Sequence, residues 1–305
     1  MVKIKLFDVD HGFCAAVEVG DRHQILIGCG YNAQSGFHPT RYLFGNSTRR
    51  LNYLIMPTFT EGSLAGFYDL IGHSFSNCFS IDHLLINPSI DAESLPELIV
   101  RNFSTCNALK LLHDARQRSG NVERTVHLGA VELSFFWNTY PEFLDFPNLS
   151  LVTFLSYQGI NILFPGNLKT EGWCALLRNS RFRDQLRQVN VLVASNHGQE
   201  NGYCSEVFSD CKPELILVSN HSCHSHSSTA IYRYERQMQR VQKSSRQARV
   251  LTTSKVGTIT IQQSPSESVE VITQRSKTYQ LKQPEVYQAW IKRLLNHQHK
   301  VFHSE

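Results

Sequence analysis

Polar side chains that could carry out chemistry follow four predicted strands at the points where those strands end. They are Thr58, Thr60, Glu61, Ser63, Asn167, Asn196, His197 and the segment from His221 to His226. Sites in α/β proteins are commonly built at strand ends, so we expect these side chains to share one cleft. The first loop offers hydroxyls and one carboxylate, whereas a metal or acid–base site favours histidine and aspartate. This loop is therefore either an unusual catalytic loop or one without metal chemistry.

A dense group of histidine and cysteine residues follows one of these strands. It consists of His221, Cys223, His224 and His226, all of which are suitable zinc ligands. Neighbouring residues on a strand alternate faces, so at most two or three of them could bind one ion. Cys204 and Cys211, on a predicted helix, could join them only through tertiary folding. A structural zinc site between residues 204 and 226 therefore stays open as an alternative.

Single residues near the same strand ends give weaker signals. Glu61 is either a general base or a solvated residue that caps the next helix. Asp8 and Asp10, at the end of the first predicted strand, either hold hydrogen bonds or supply a metal ligand. Cys14 and Ser63 are candidate nucleophiles, but the sequence shows neither an adjacent histidine nor an orienting acid.

Composition indicates an ordinary globular protein rather than a nucleic-acid-binding or membrane protein. The chain has 305 residues, of which 41% are hydrophobic and 18% charged, and its formal net charge is only +4. This basic excess is small and scattered, which does not indicate nucleic-acid binding. Its eight cysteines form no C-x-x-C pair and mostly lie in apolar runs, as expected in a reducing cytoplasm. No apolar run reaches the ~18 residues of a membrane span, and the amino terminus predicts a strand, not a signal peptide.

The hydrophobic pattern predicts two sets of strands, each mixing hairpins with strand–helix units. Hairpins are predicted around Gly20, around Gln158 and Gly159, and across "ARVLTTSKVGTITIQ" near the carboxyl end. Helices are predicted over 64–72, 93–118, 169–187 and "STAIYRYERQMQRV", and again around Trp290. Two sheets with helices outside them follow from this order, which makes the predicted fold class α/β.

The order of these pieces resembles the metallo-β-lactamase fold, and more narrowly the hydrolase domain attached to ComEC-type competence proteins. That family's D-V-G-Q-G-D and L-I-D-x-G motifs correspond to "FDVDHGFC" and "ILIGCG", and its H-x-H-x-D-H motif to "TFTEGSLAG". Its T-G-D, H-H-G and G-H-P-H motifs correspond to "FPGN", "ASNHG" and "SNHSCHSH". The resemblance implies a four-layer αββα sandwich over residues 1–262, with a strand and helix extension over 263–305.

The resemblance also assigns the former metal-site positions of this chain. They are Thr58, Thr60, Gly62, Ser63, Asn167, either Asn196 or His197, and His224, while Phe13 and Gly28 take the early acidic positions. A binuclear site holds two dications about 3.5–4 Å apart and needs several imidazoles and an anionic bridge. Only His224 and His197 remain as good ligands, so we expect the binuclear centre to be lost.

The function expected from this pattern is non-catalytic binding in the old cleft, without a cofactor. The partner would be an unknown protein or a nucleotide or nucleic acid, an expectation taken from the relatives alone. The alternative is a phosphodiesterase-like or nuclease-like hydrolase that uses zinc or manganese. It would rebuild its site from His197, His224, Asn167 and either Asp8 or Asp10.

Overall fold

The computed structural model describes the chain in segments. They are residues 2–9, 12–21, 23–34, 36–75, 79–91, 98, 122–220, 227–242, 249–263, 269–275 and 277–281. Two mixed β-sheets lie at the centre of this part of the chain, with helices on their outer surfaces.

The first sheet has eight strands. They are β1 (Val2–Leu6), β2 (Ala15–Val19), β3 (His23–Ile27), β4 (Arg50–Ile55), β5 (Ser80–Leu85), β13 (Ile259–Gln263), β14 (Val269–Thr273) and β15 (Lys277–Leu281). Their order across the sheet is β15-β14-β13-β1-β2-β3-β4-β5. Only β3, β4 and β5 run parallel to one another, and the other pairs are antiparallel. Along β1, buried and half-buried residues alternate, as expected for a strand with one face in a core.

The second sheet has seven strands. They are β6 (Thr125–Leu128), β7 (Val131–Phe136), β8 (Val152–Tyr157), β9 (Ile160–Phe164), β10 (Val191–Val193), β11 (Leu215–Val218) and β12 (Arg249–Thr252), in the order β12-β11-β10-β9-β8-β7-β6. The strands β9 to β12 are parallel, and every residue of β10 and β11 is buried, as is typical of central parallel strands.

Eight α-helices complete the described part of the chain. They are α1 (Pro39–Gly45), α2 (Glu61–Leu64), α3 (Phe67–Phe75), α4 (Thr170–Leu176), α5 (Ser180–Leu186), α6 (Val207–Asp210), α7 (Ser227–Gln242) and α8 (Thr253–Val256). Short 3₁₀ turns cover Ser195–Gly198 and Glu200–Gly202. Within the described residues, no helix has the length and apolar character needed to cross a bilayer.

Three apolar clusters define four layers. The central cluster joins the inner faces of both sheets, for example through Ile25 and Leu217. A second cluster packs Phe67 of α3 on the outer face of the first sheet. The third packs Trp173 of α4 and Phe182 of α5 on the outer face of the second sheet. This arrangement is an αββα sandwich, so the predicted fold class is confirmed.

Predictions of hairpins and helices are confirmed where residues close together in the sequence determine the local structure. The β2–β3 and β8–β9 hairpins are present, and Gln158 and Gly159 both have positive φ in the tight turn of the second one. The helix predicted over 169–187 is two helices, because the Asn179 side chain accepts hydrogen bonds from Arg181 N and Phe182 N and starts α5.

Two local predictions were wrong. The closing hairpin does not exist, because β12 pairs with β11 in the second sheet while β13 pairs with β1 in the first. Cys204 and Cys211 do not share a helix, because α6 covers only Val207–Asp210 between them.

Other predictions stay untested. The helix over 93–118 and the one around Trp290 lie almost wholly outside the described residues. The domain boundary near residue 262 stays a prediction, although β14 and β15 do extend the first sheet beyond β13.

A half-buried charged group ties α1 to the first sheet. Lys5 of β1 donates to the Glu18 carboxylate (3.0 Å) and to the Tyr42 hydroxyl (2.8 Å), and that hydroxyl also donates to Glu18. Burial acts to raise the pKa of Glu18, but the hydrogen bonds from Tyr42 and Lys5 and the charge of Lys5 outweigh it and lower the pKa. The ionised carboxylate is therefore the form that stabilises this contact.

We expect replacement of Glu18 by glutamine to lower the free energy of unfolding by about 1 kcal/mol at neutral pH. A carboxyl group with a lowered folded-state pKa stabilises above its unfolded pKa, near 4.3, and loses that effect as the pH falls through the folded value. Urea unfolding of both proteins from pH 7 to pH 3 should therefore show the difference shrinking in acid. A difference that stays constant over this range would contradict the expectation.

Candidate functional site

A cleft opens where strands of both sheets end. It encloses about 360 Å³, including its opening to solvent. Its apolar lining comprises Phe13, Pro57, Phe164, Pro165, Val193 and Ala194. Its polar side chains are Thr58, Ser63, Asn167, His197 and Ser219. These residues lie at or after the ends of β4, β9, β10 and β11 or just before β2, so part of the expected set of strand ends meets in one cleft.

The loop after β4 satisfies two of its hydroxyls internally. The side-chain oxygens of Thr60 and Ser63 are hydrogen-bonded to each other at 2.9 Å, and Ser63 N donates to Thr60 O at 3.0 Å. Cys29 N donates to Ser63 O at 3.1 Å and joins this loop to the end of β3. Thr58 differs, because its buried Oγ1 has no hydrogen-bond partner.

Glycines allow the backbones beside the cleft to approach closely. Gly12 has φ +145°, and a Cβ atom there would lie 2.2 Å from the carbonyl oxygen of Gly62. Gly28 has φ +72°, and a Cβ atom there would lie 2.4 Å from the carbonyl oxygen of Phe13. Two positions that the resemblance assigns to the metal site, 28 and 62, thus lie in tight backbone contacts. The Ser219 hydroxyl donates to Gly12 O at 3.1 Å and joins this region to the end of β11.

Asn167 is held by its backbone, while its side chain faces the cleft. Its N–H donates to the Ser150 hydroxyl at 2.9 Å, and that hydroxyl donates to Pro147 O at 2.7 Å. Only 4% of Asn167 is exposed. Within the described residues, its side-chain amide has no hydrogen-bond partner. It therefore offers both a donor and an acceptor to a ligand.

The turn after β10 is left-handed over three successive residues. Asn196 has φ 48°, His197 has φ 58° and Gly198 has φ 71°. The left-handed region costs a non-glycine residue roughly 1–2 kcal/mol, so two such residues in a row indicate backbone strain. The Asn196 amide donates to Asn201 Oδ1 at 2.7 Å, whereas His197 lines the cleft with its Nδ1 3.2 Å from Ser219 O. Of the two alternatives for this ligand position, His197 is the one that reaches the cleft.

A buried amide network supports the loops behind the cleft. Asn87 Nδ2 donates to Asn138 O and Leu149 O, both at 2.9 Å, and Asn87 Oδ1 accepts from Ser89 N and Oγ. Asn148 Oδ1 accepts from the backbone at the start of α4. This network sets the position of Ser150 and, through it, of Asn167.

The predicted site residues divide into three groups. Thr58, Ser63, Asn167 and His197 come together in the cleft, whereas Thr60, Asn196 and Asp8 do not line it. The side chain of Glu61 is not described. Asp10, His221, Cys223, His224 and His226 lie outside the described residues, so their roles stay predictions.

Burial raises the pKa of several described thiols. Burial and the nearby Cys29 raise the pKa of Cys14 well above its usual range, so this thiol is not a nucleophile at neutral pH. Burial also raises the pKa of Cys204 and of Cys211 to about 12. Both are protonated at neutral pH in the metal-free protein, and a structural zinc site between residues 204 and 226 stays untested.

Sequence reasoning missed several lining residues. Phe164 ends β9, Pro165 follows it, and Ser219 follows β11. Their location in the sequence could have identified them, because each lies at the end of a predicted strand and close to a polar residue that was already a candidate. Among the described residues, no group of three or more His, Cys, Asp or Glu has the arrangement of a metal site.

No protein-family model and no curated protein matches the chain. Solved structures do. CmlA, a diiron β-hydroxylase from Streptomyces venezuelae, has a TM-score of 0.52 at 11% identity, over 85% of this chain and 53% of CmlA. The chain thus spans about half of CmlA. The metallo-β-lactamase fold protein YhfI from Bacillus subtilis has a TM-score of 0.46 at 11% identity, over 83% of this chain and 96% of YhfI. Similarity at such identities shows the fold alone.

Proposed function

We propose that this chain is a metallo-β-lactamase-fold protein that binds a ligand in its cleft and lacks the binuclear metal centre. The observation that carries the proposal is the chemistry of the cleft. Its described lining contains a single imidazole, that of His197, and no carboxylate or thiol. Two dications need several imidazoles and an anionic bridge, and a neutral amide at Asn167 cannot offset their charge.

The loop after β4 supports the same proposal. The side-chain oxygens of Thr60 and Ser63 are hydrogen-bonded to each other. Gly62 offers no side chain, so the position that would orient a nucleophilic water is empty of polar atoms. Hydroxyl groups are weak zinc ligands unless they are deprotonated. Binding in a preformed cleft is therefore the simpler use of these residues.

The finer parts of the proposal come from the sequence. The order of the motifs is the basis on which we propose a relationship to the ComEC-type hydrolase domain. The free thiols of the described cysteines are the basis on which we propose a cytoplasmic location. An unknown protein or a nucleotide or nucleic acid remains the proposed class of partner, by analogy with the relatives of that domain.

The decisive experiment measures metal content. We expect elemental mass spectrometry to find about zero ions per chain after incubation with zinc or manganese and removal of the excess. A chelator should leave the thermal unfolding midpoint unchanged, because we expect the native protein to hold no metal that the chelator could remove. A metal bound to the native state would stabilise it, and its removal would lower the midpoint. Hydrolysis of bis(p-nitrophenyl) phosphate should show no chelator-sensitive rate.

The variant His197→Ala separates the alternatives. A tightly held ion that is lost in this variant, together with phosphodiester hydrolysis, would establish the rebuilt hydrolase and refute the proposal. An ion that His197→Ala retains but Cys204→Ala loses, without hydrolysis, would establish the structural zinc alternative instead. His224→Ala serves as the matched test of the second histidine.

A further inference from the structure

A second hollow lies on the outer face of the second sheet, between the strands β7, β8 and β9 and the end of α5. We call it the polar notch, because its lining includes the side chains of Glu132, Ser156, Asn161, Gln185 and Gln188. About 140 Å³ of it is open to the centres of water molecules, and a single water needs roughly 10–15 Å³ of such space. The polar notch therefore has room for a small ligand.

Strand pairing places three polar side chains of the notch in a row. Glu132 of β7 pairs with Ser156 of β8, and Ser156 pairs with Asn161 of β9. Directly paired residues point to the same face of a sheet, and neighbouring strands lie about 4.8 Å apart. A carboxylate, a hydroxyl and an amide therefore follow one another along a line of about 10 Å.

A short chain of hydrogen bonds behind this row orients the carboxylate. Gln185 Nε2 donates to the Ser134 hydroxyl at 3.2 Å, and that hydroxyl donates to Glu132 Oε1 at 3.4 Å. Ser134 is only 4% exposed, so the chain is shielded from solvent at its middle. Because Ser134 occupies the amide nitrogen of Gln185, the Gln185 oxygen is the atom left for a ligand. The notch thus offers acceptor oxygens from at least two side chains.

The charge of the polar notch is negative. Glu132 is half-buried, and within the described residues its carboxylate pairs with no Lys, Arg or His side chain. No basic residue of the described part of the chain lines the notch, and Arg183 and Arg187 of α5 pair instead with Asp210. Partial burial removes part of the hydration of a carboxylate, and a cation that binds beside it offsets that loss. The notch therefore favours a positively charged ligand.

We propose that the polar notch binds a guanidinium group. This group is a planar cation with several N–H donors, and it forms paired hydrogen bonds with a carboxylate. Two of its N–H groups bond to Glu132, and the others donate to Ser156 and Asn161 along the row. An ammonium ion has the same charge, but it is more strongly hydrated and lacks the planar set of donors.

The notch is separate from the cleft described above. Asn161 lies near the start of β9, whereas Phe164 and Pro165 of the cleft lie at its other end. The inference therefore goes beyond the proposed function and does not depend on it.

Three probes of similar size test the proposal. Ethylguanidinium is a planar cation, N-ethylurea is its neutral counterpart of nearly the same shape, and propylammonium is a cation without the planar donors. In ligand-observed NMR titrations at low salt, we expect ethylguanidinium to bind with a roughly millimolar dissociation constant. Ethylurea should bind at least about fivefold more weakly because it has no charge. Propylammonium should bind about threefold more weakly because it reaches fewer acceptors and is more strongly hydrated.

A matched pair of variants locates the binding. Glu132→Gln keeps the side-chain shape but removes the charge, so it should weaken ethylguanidinium binding at least about fivefold and change ethylurea binding less than about twofold. Glu270→Gln removes the charge of another half-buried strand glutamate, in β14 of the first sheet, and should leave the binding of both probes unchanged. The two variants change the net charge equally, so a general effect of net charge would appear in both.

The source of the guanidinium group is decided by a capped Gly-Arg-Gly peptide. Tighter binding of the peptide than of ethylguanidinium would identify an arginine side chain of a polypeptide as the ligand, and the reverse order would identify a free small molecule.

Three outcomes would overturn the proposal. They are ethylurea that binds as tightly as ethylguanidinium, equal effects of Glu132→Gln and Glu270→Gln, and no binding of ethylguanidinium at about ten times the expected dissociation constant. None of them bears on the proposed function, which the metal content of the protein tests independently.

Discussion

Replacing Gly12 by alanine is expected to lower the free energy of unfolding by about 4 kcal/mol. The residue has φ +145°, which L-residues rarely adopt, and the new Cβ atom would lie 2.2 Å from the carbonyl oxygen of Gly62. The two backbones would have to separate, which disturbs the hydrogen bond from Ser219 to Gly12 O.

Gly20→Ala is the matched control for this change. Gly20 also has a positive φ, +58°, but a Cβ atom there would meet no atom within 4 Å. We expect a loss of only about 1 kcal/mol, which is the conformational cost alone. Urea unfolding of both variants measures the difference. Equal losses in the two variants would mean that the close approach of Gly12 to Gly62 contributes nothing.

Replacing Asn87 by alanine is expected to cost about 3 kcal/mol of unfolding free energy. The side chain is 1% exposed and is hydrogen-bonded to Asn138 O, to Leu149 O and to both Ser89 N and Oγ. Its removal leaves buried carbonyl groups unpaired, and each of these costs roughly 1–3 kcal/mol unless water reaches it. The denaturant midpoint should fall while the slope of the transition stays unchanged.

Two further variants give the Asn87 prediction its controls. Asn87→Asp preserves the side-chain shape but directs a carboxylate at two carbonyl oxygens, so it should destabilise at least as strongly as alanine at neutral pH. Asn161→Ala removes a half-buried amide that has no side-chain hydrogen bond within the described residues, and it should change stability by less than about 0.5 kcal/mol. An Asn87→Ala protein as stable as Asn161→Ala would show that the buried network is not a stabilising feature.

Much of the fold could be predicted from the sequence because it depends on neighbouring residues. Alternation of buried and exposed positions predicted β1, and the dipeptide Gln158-Gly159 predicted the β8–β9 turn. Two sets of strands with helical segments between them predicted two sheets with helices outside. Polar residues after apolar strands predicted which loops would meet.

Pairing between distant strands could not be predicted in the same way. "ARVLTTSKVGTITIQ" has the pattern of a hairpin, yet its two strands enter different sheets because β12 finds β11 and β13 finds β1 as partners. Strand propensity indicates that a segment can form a strand, but it does not indicate which other strand it pairs with. Pairing depends on packing against segments that are distant in the sequence.

The residue types of the four loops establish which side chains are available to the cleft, including hydroxyls, an amide and the imidazole of His197. How these side chains are used depends on the tertiary structure. It bonds Thr60 to Ser63, turns Asn196 towards Asn201 and leaves the Thr58 hydroxyl without a partner in the cleft. The physical reason is that a cleft is built by contacts between distant parts of the chain. The hydrogen bond from Ser219 to Gly12 spans 207 positions, and no local pattern of residues records it.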